Sequence, residues 1–167
     1  GIWRWMQTAS GRWFFDRFQI HVPILGGLYR KLYMARLTDN LRTLIVGGIP
    51  ILRALEISGD VVGNVVYKKA VGEAIESVRG GGSISAAFEK TPEIPVLVTQ
   101  MIRIGEASGR LDFILANIAK FYGREVDSAF ENLVTLIEPF LIVVLGAGVG
   151  GMVASVLVPL YNLVGTF

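Results

Sequence analysis

The sequence predicts an all-α fold, a six-helix antiparallel bundle whose last helix continues into a C-terminal transmembrane helix. Three observations predict it. Apolar residues recur at helical spacing from about Leu28 to Leu136, with no convincing period-two strand. Glycine, proline and serine punctuate that pattern at short intervals. The last 29 residues, Pro139 to Phe167, hold no charged side chain. The expected order is a basic aromatic juxtamembrane segment over residues 1–22, a cytoplasmic helical domain over 23–136, a membrane helix over 137–161 and a short extracytoplasmic tail over 162–167.

The first predicted helix carries Met34, Leu37, Leu41, Leu44 and Ile45 on one face and Asp39, Asn40 and Arg42 on another, and stops at Gly47-Gly48. Pro50 restarts the chain as a short helix over Ile51 to Ile57, closed by Ser58-Gly59. A third helix turns Tyr67, Ala70, Val71, Ala74, Ile75 and Val78 inward and ends at Gly80-Gly81-Gly82. Ser83 has the chemistry of an N-cap for a small helix with Ile84, Ala87 and Phe88. Thr91-Pro92 marks the next start, and Leu97, Val98, Met101 and Ile102 form the stripe of a fifth helix ending at Gly105. Ser108 is expected to cap within a tight turn, after which Leu111, Ile114, Leu115, Ile118 and Phe121 open the last helix. Short connections favour antiparallel neighbours.

That last helix is expected to enter lipid. Phe140 to Leu160 gives 21 uncharged residues, enough for about 30 Å of helix. Lys120 and Arg124 lie upstream and nothing basic follows, so the upstream side is expected to face the cytoplasm. Pro139 removes a helix donor beside Glu138, which predicts a kink at the membrane boundary with Glu138 at the interface. Gly146, Gly150 and Gly151, followed by Ser155, form a strip of small residues that lets another helix backbone approach, so a homo-oligomer is expected. The apolar run lies at the C-terminal end, which argues against a signal peptide, and the first residue is Gly1, which points to a fragment or processed product.

Charge divides the chain into three zones. Residues 1–36 hold six basic side chains against Asp16, residues 37–138 hold ten basic and thirteen acidic groups, and the rest holds none. In the first zone Trp3, Trp5, Trp13, Phe14, Phe15 and Phe18 interleave with Arg4, Arg12 and Arg17. Such a pattern suits lipid headgroups, and beside a spanning helix it is read that way rather than as a grip on single-stranded nucleic acid.

Composition also limits the chemistry. With no cysteine, thiol catalysis and Cys-ligated metals are excluded, and the single histidine, His21, cannot build a multi-histidine site. Gly105-Glu106-Ala107-Ser108-Gly109 looks superficially like a nucleophile loop, but the serine is displaced from the centre and no strand precedes it. A membrane-tethered hydrolase using Ser108 is therefore a lesser reading, as is a transporter, which needs intramembrane polar groups beyond Ser155. Arg79 to Ser85 is glycine-rich but lacks the Gly-Lys-Ser/Thr ending of a phosphate cradle. No catalytic residue, metal site or cofactor is expected.

Five motifs in order resemble the type II secretion system F family, the inner-membrane platform proteins of type II secretion and type IV pilus machines. They are Pro23-Ile24-Leu25-Gly26, then Ala35-Arg36 leading to Leu41 and the Leu44 to Leu55 run through Gly47-Gly48-Ile49-Pro50, Gly82-Ser83-Ile84-Ser85, Met101-Ile102 with Gly105-Glu106 and Ser108-Gly109, and Ile137-Glu138-Pro139. The family is similar to two copies of a cytoplasmic helical domain with three membrane helices, and this chain resembles the second copy with the last of them. The resemblance implies a scaffold that joins a cytoplasmic secretion or assembly ATPase to a pilin or pseudopilin fibre. It brings no catalytic residues. On that footing Gly47, Pro50, Gly105, Glu106, Ser108 and Gly109 are expected to set shape, and Gly146 to Ser155 to contact other helices. The alternative is a membrane-anchored helical interaction module of another complex.

Overall fold

The computed structural model describes residues 25–164. Among the described residues there are six helices and no strand: α1 Gly26–Val46, α2 Ile51–Val61, α3 Val65–Arg79, α4 Ile84–Phe88, α5 Val96–Ser108 and α6 Leu111–Val164. The predicted juxtamembrane segment 1–22, with His21 and the aromatic-basic pattern, lies outside the described residues, as do Pro23 and the end of the tail. The all-α architecture with a long apolar final helix is the one expected from the sequence.

One compact unit ends at Val126. Its core is continuous from Met34, Leu37 and Leu41 of α1 through Leu55, Tyr67, Val71, Ile84, Phe88, Val98 and Ile102 to Leu115 and Ile118 of α6. Neighbours in sequence pack in space, α1 on α2, α2 on α3, α3 on α4 and α4 on α5. The drive is apolar burial, about 1.5–3 kcal/mol for each large side chain taken fully out of water. Tyr33 and Tyr67 bring aromatic rings from α1 and α3 to 5.5 Å between centroids. Lys31 and Glu125 join α1 to α6 through a half-exposed ion pair at 2.8 Å.

Helix ends follow local chemistry. α1 stops because Gly48 takes the left-handed backbone (φ 82), which lets its N–H reach Ile45 O and the Ile49 N–H reach Leu44 O, both at 3.0 Å. Asn64 caps α3 by accepting from Val66 N at 2.9 Å. Arg36 reaches from α1 to donate to Val62 O, at the C-terminal end of α2, at 3.3 Å.

Three boundaries differ from the sequence expectation. α2 does not close at Ser58-Gly59; it runs to Val61, with both residues buried inside it. Small side chains here serve packing: a Cβ on Gly59 would lie 3.0 Å from Val71 Cγ1 of α3. α5 starts at Val96 rather than at Thr91-Pro92, because the second proline, Pro95, pushes Ile94 out of helical backbone. The chain there turns instead, with Ile94 N donating to Thr91 O at 3.1 Å. α5 also passes Gly105 and ends at Ser108, and Leu97 of the predicted stripe is exposed while Val98 and Ile102 are buried.

The second unit begins at Asp127 and carries the rest of α6. The helix continues through Pro139 and Pro159 without a break. Its apolar side chains are exposed, from Phe130, Val134 and Ile137 to Leu157 and Leu160. The span Leu111–Tyr161 contains an 18-residue window of mean hydropathy 2.5, none of it buried. Such a surface is costly in water and comfortable in hydrocarbon.

Candidate functional site

Two of the sequence motifs meet at the N-terminus of α4. A helix leaves its first N–H groups without partners, and α4 has no acidic residue in its first turn to serve them. Ser83 Oγ accepts from Ala86 N at 3.1 Å. The other two donors are taken by Glu106 of α5: Oε1 accepts from Ile84 N at 2.6 Å, and Oε2 accepts from Ser85 N at 3.2 Å. Oε2 also accepts from the Ser85 hydroxyl at 2.7 Å. Because Ser85 donates to the carboxylate, the 3.1 Å contact between Ser83 Oγ and Ser85 Oγ is one in which Ser83 donates. The result is a directed chain, Ser83 to Ser85 to Glu106, ending on the anion that complements the positive end of the helix.

α5 holds the other end of α4 as well. Glu89, which follows the last helical residue, pairs with Arg103 at 2.8 Å. One turn of α5, Arg103 to Glu106, therefore reaches both termini of a five-residue helix.

The turn from α5 into α6 is equally constrained. Gly105 backs onto α6: a Cβ there would lie 3.0 Å from Ile114 Cγ1 and 3.2 Å from Leu111 Cα. Gly109 is left-handed (φ 68) and directs its own N–H to Gly105 O. Arg110 N donates to the same carbonyl at 3.0 Å. Ser108 does not cap the helix that follows. It is the last residue of α5, and its hydroxyl donates back to Ile104 O at 2.7 Å, the usual behaviour of a serine in a final helical turn.

Gly47 and Pro50 flank the α1–α2 connection. Gly47 N donates to Thr43 O at 3.0 Å, and Pro50 stands just before α2, its carbonyl accepting from Ala54 N at 2.9 Å. The left-handed residue is Gly48 rather than Gly47. Glu138 and Pro139 lie on exposed α6. Farther along, a Cβ on Gly146, Gly150 or Gly151 would meet nothing within 4 Å among the described residues, and Ser155 Oγ donates to Met152 O at 2.7 Å. The structure brings Glu106, Ser83, Ser85, Gly105 and Gly109 into one cluster and leaves the α1–α2 turn and the α6 strip as separate features.

The link from Glu106 to Ser85 was not read from the sequence. A local capping box would place an acid at position 86, where Ala86 stands. That gap at a well-capped serine is the signal that a distant acid completes the turn. No group of three or more His, Cys, Asp or Glu side chains among the described residues has the geometry of a metal site.

Fold and site define an all-α domain with a helix long and apolar enough to cross a bilayer, built around interlocked helix ends. The family model for protein F of the type II secretion system matches residues 37–159. The chain belongs to that family and is a membrane protein. It is 40% identical to the type IV pilus assembly protein PilC of Myxococcus xanthus over 98% of this chain and 39% of that protein. It is 37% identical to PilC of Thermus thermophilus, over 98% of this chain and 41% of that protein. The type II secretion system protein F of Pseudomonas aeruginosa is 34% identical over 87% of this chain and 36% of its own length. The chain thus spans about two fifths of the length of the curated relatives it matches.

Proposed function

We propose that this chain is part of an inner-membrane platform of a type II secretion or type IV pilus machine, a non-enzymatic scaffold that links a cytoplasmic assembly ATPase to a pilin or pseudopilin fibre. The observation that carries this reading is the similarity, over nearly the whole chain, to relatives named for type IV pilus assembly and type II secretion. The fold supports it, since a platform needs a stiff body and an anchor.

In this reading the bundle faces the cytoplasm, because Lys120 and Arg124 flank the apolar run on the bundle side. The Glu106 clip and the Gly48 and Gly109 turns set the shape of the surface offered to other subunits, and the Gly146 to Ser155 strip packs on neighbouring membrane helices or on a second copy of the chain. The test is cross-linking in native membranes followed by mass spectrometry of what is attached. Adducts with an assembly ATPase and with a pilin-like subunit are expected; adducts confined to unrelated transporters would overturn the reading. Labelling of a cysteine introduced at residue 165 from the extracytoplasmic side only is the matching result for orientation.

A further inference from the structure

The fifteen residues from Arg110 to Arg124 present one face that no other described residue covers. Arg110, Phe113, Asn117, Lys120 and Arg124 recur at spacings of three and four, so they line a single stripe of α6, with Phe121 beside Lys120. All six are exposed, Phe113 by 51% and Phe121 by 50%. The opposite face, Leu115, Ile118, Tyr122 and Val126, is in the core. From Arg110 to Arg124 no acid lies on the stripe: Asp112 is on another side of the helix, Glu125 is held by Lys31, and the first acid in line is the exposed Asp127, three residues beyond Arg124. None of the three cations has an ion pair among the described residues, whereas most other Lys and Arg side chains of the bundle pair with an acid.

This arrangement works against the helix that carries it. Arg110 stands at the N-terminus of α6, where the helix dipole disfavours a cation. Lys120 and Arg124 repel each other one turn apart. Two phenylalanines are left half in water. Arg110 is already stacked over Phe113, 4.7 Å from the ring centroid, which fixes the guanidinium beside an aromatic surface before any partner arrives.

We propose that this stripe is the docking face for an acidic surface of another protein subunit, with Phe113 and Phe121 as apolar anchors and Arg110, Lys120 and Arg124 as the complementary charges. Exposed aromatic and arginine side chains are the residue types that dominate protein interfaces, and an acid-bearing partner removes the repulsion that the isolated helix carries. The inference rests on the reading of the chain as a subunit of an assembly, but it can fail alone.

The test places a photo-cross-linking amino acid at Asn117 in the full protein in its native membrane. The expected result is an adduct with a different protein through an acidic peptide, with a yield that falls about tenfold in the Lys120→Glu/Arg124→Glu variant. Changing an acid of the cross-linked peptide to lysine restores the yield. Phe121→Ser, which keeps every charge, also lowers it, and unchanged helicity by circular dichroism shows that both variants are folded. Adducts only with phospholipid, or only with a second copy of this chain, overturn the proposal, as does a yield insensitive to the charge reversal. If an ATPase and a pilin-like subunit are still captured elsewhere on the chain, the platform reading survives and this face is discarded.

Discussion

The Ser85 hydroxyl and the Glu106 carboxylate meet at 2.7 Å across 21 residues of sequence. This contact joins two glycine-flanked motifs that look unrelated on paper. It makes the short helix α4 a dependent of α5.

Replacing Glu106 tests that dependence. In Glu106→Ala two backbone N–H groups at Ile84 and Ser85 lose their acceptors, and leaving such groups unserved costs about 1–3 kcal/mol. Glu106→Gln puts an amide donor opposite one of those donors and is expected to cost about 1–2 kcal/mol. Chemical denaturation gives the size, and faster hydrogen exchange confined to residues 84–88 gives the place. Exchange unchanged at Ile84 and Ser85 would sink the idea.

Gly105→Ala is expected to destabilise the bundle by about 1–3 kcal/mol, because its methyl would press on Ile114 and on the backbone of Leu111. Gly109→Ala strains only the left-handed backbone (φ 68) and is expected to cost about 1 kcal/mol. Asparagine at 109, which tolerates that region, is expected to recover part of the loss. The ordering of the three variants by thermal melting is the check.

Ser58 makes the opposite prediction. Its hydroxyl is buried without a hydrogen-bond partner among the described residues, so Ser58→Ala removes an unserved polar atom without opening a large cavity. The variant is expected to match or exceed the parent by up to about 1 kcal/mol. A clear loss of stability would show that the oxygen has a partner.

At alkaline pH the buried Tyr67 is the group to watch. Burial pushes its phenol above the ordinary tyrosine range, so the folded state holds a proton that the unfolded chain releases. Its contribution is intact below about pH 10, where unfolded tyrosine ionises, and is lost as pH climbs above that value. Tyr67→Phe should flatten the fall in stability above about pH 10, at the expense of the 3.3 Å bond to Glu93 O. Denaturation midpoints of both proteins between about pH 8 and 11 decide it. At the acid end, Lys68 holds the exposed Asp60 below its ordinary value. That contribution is present at neutral pH and disappears as pH falls through the lowered value.

Gly150→Leu addresses the membrane helix. Among the described residues nothing stands near a Cβ added there, so the substitution leaves the described bundle untouched and addresses contacts with other helices. Weaker cross-linking between membrane subunits with an unchanged bundle is expected; unchanged cross-linking would count against the small-residue strip.

Local chemistry made much of this fold readable. The period of Met34, Leu37 and Leu41 and that of Tyr67, Ala70, Val71 and Ala74 marked core faces, Ser83 announced its cap, and the uncharged run after Glu138 marked the apolar helix. The errors fell where tertiary contact overrides local signals. Ser58-Gly59 reads as a helix stop, yet it is the place where α2 lies against Val71. Thr91-Pro92 reads as a start until Pro95 is weighed. The Glu106 clip was invisible because its two halves are joined only in space, as was Arg36 reaching the end of α2. Pairings of that kind have no sequence period.

A five-residue helix with a borrowed anion cannot hold its shape alone. As the chain leaves the ribosome, residues 84–88 must wait until residue 106 has emerged and α5 has wound. The order of assembly in this protein is thus partly written backwards, with a later segment finishing an earlier one.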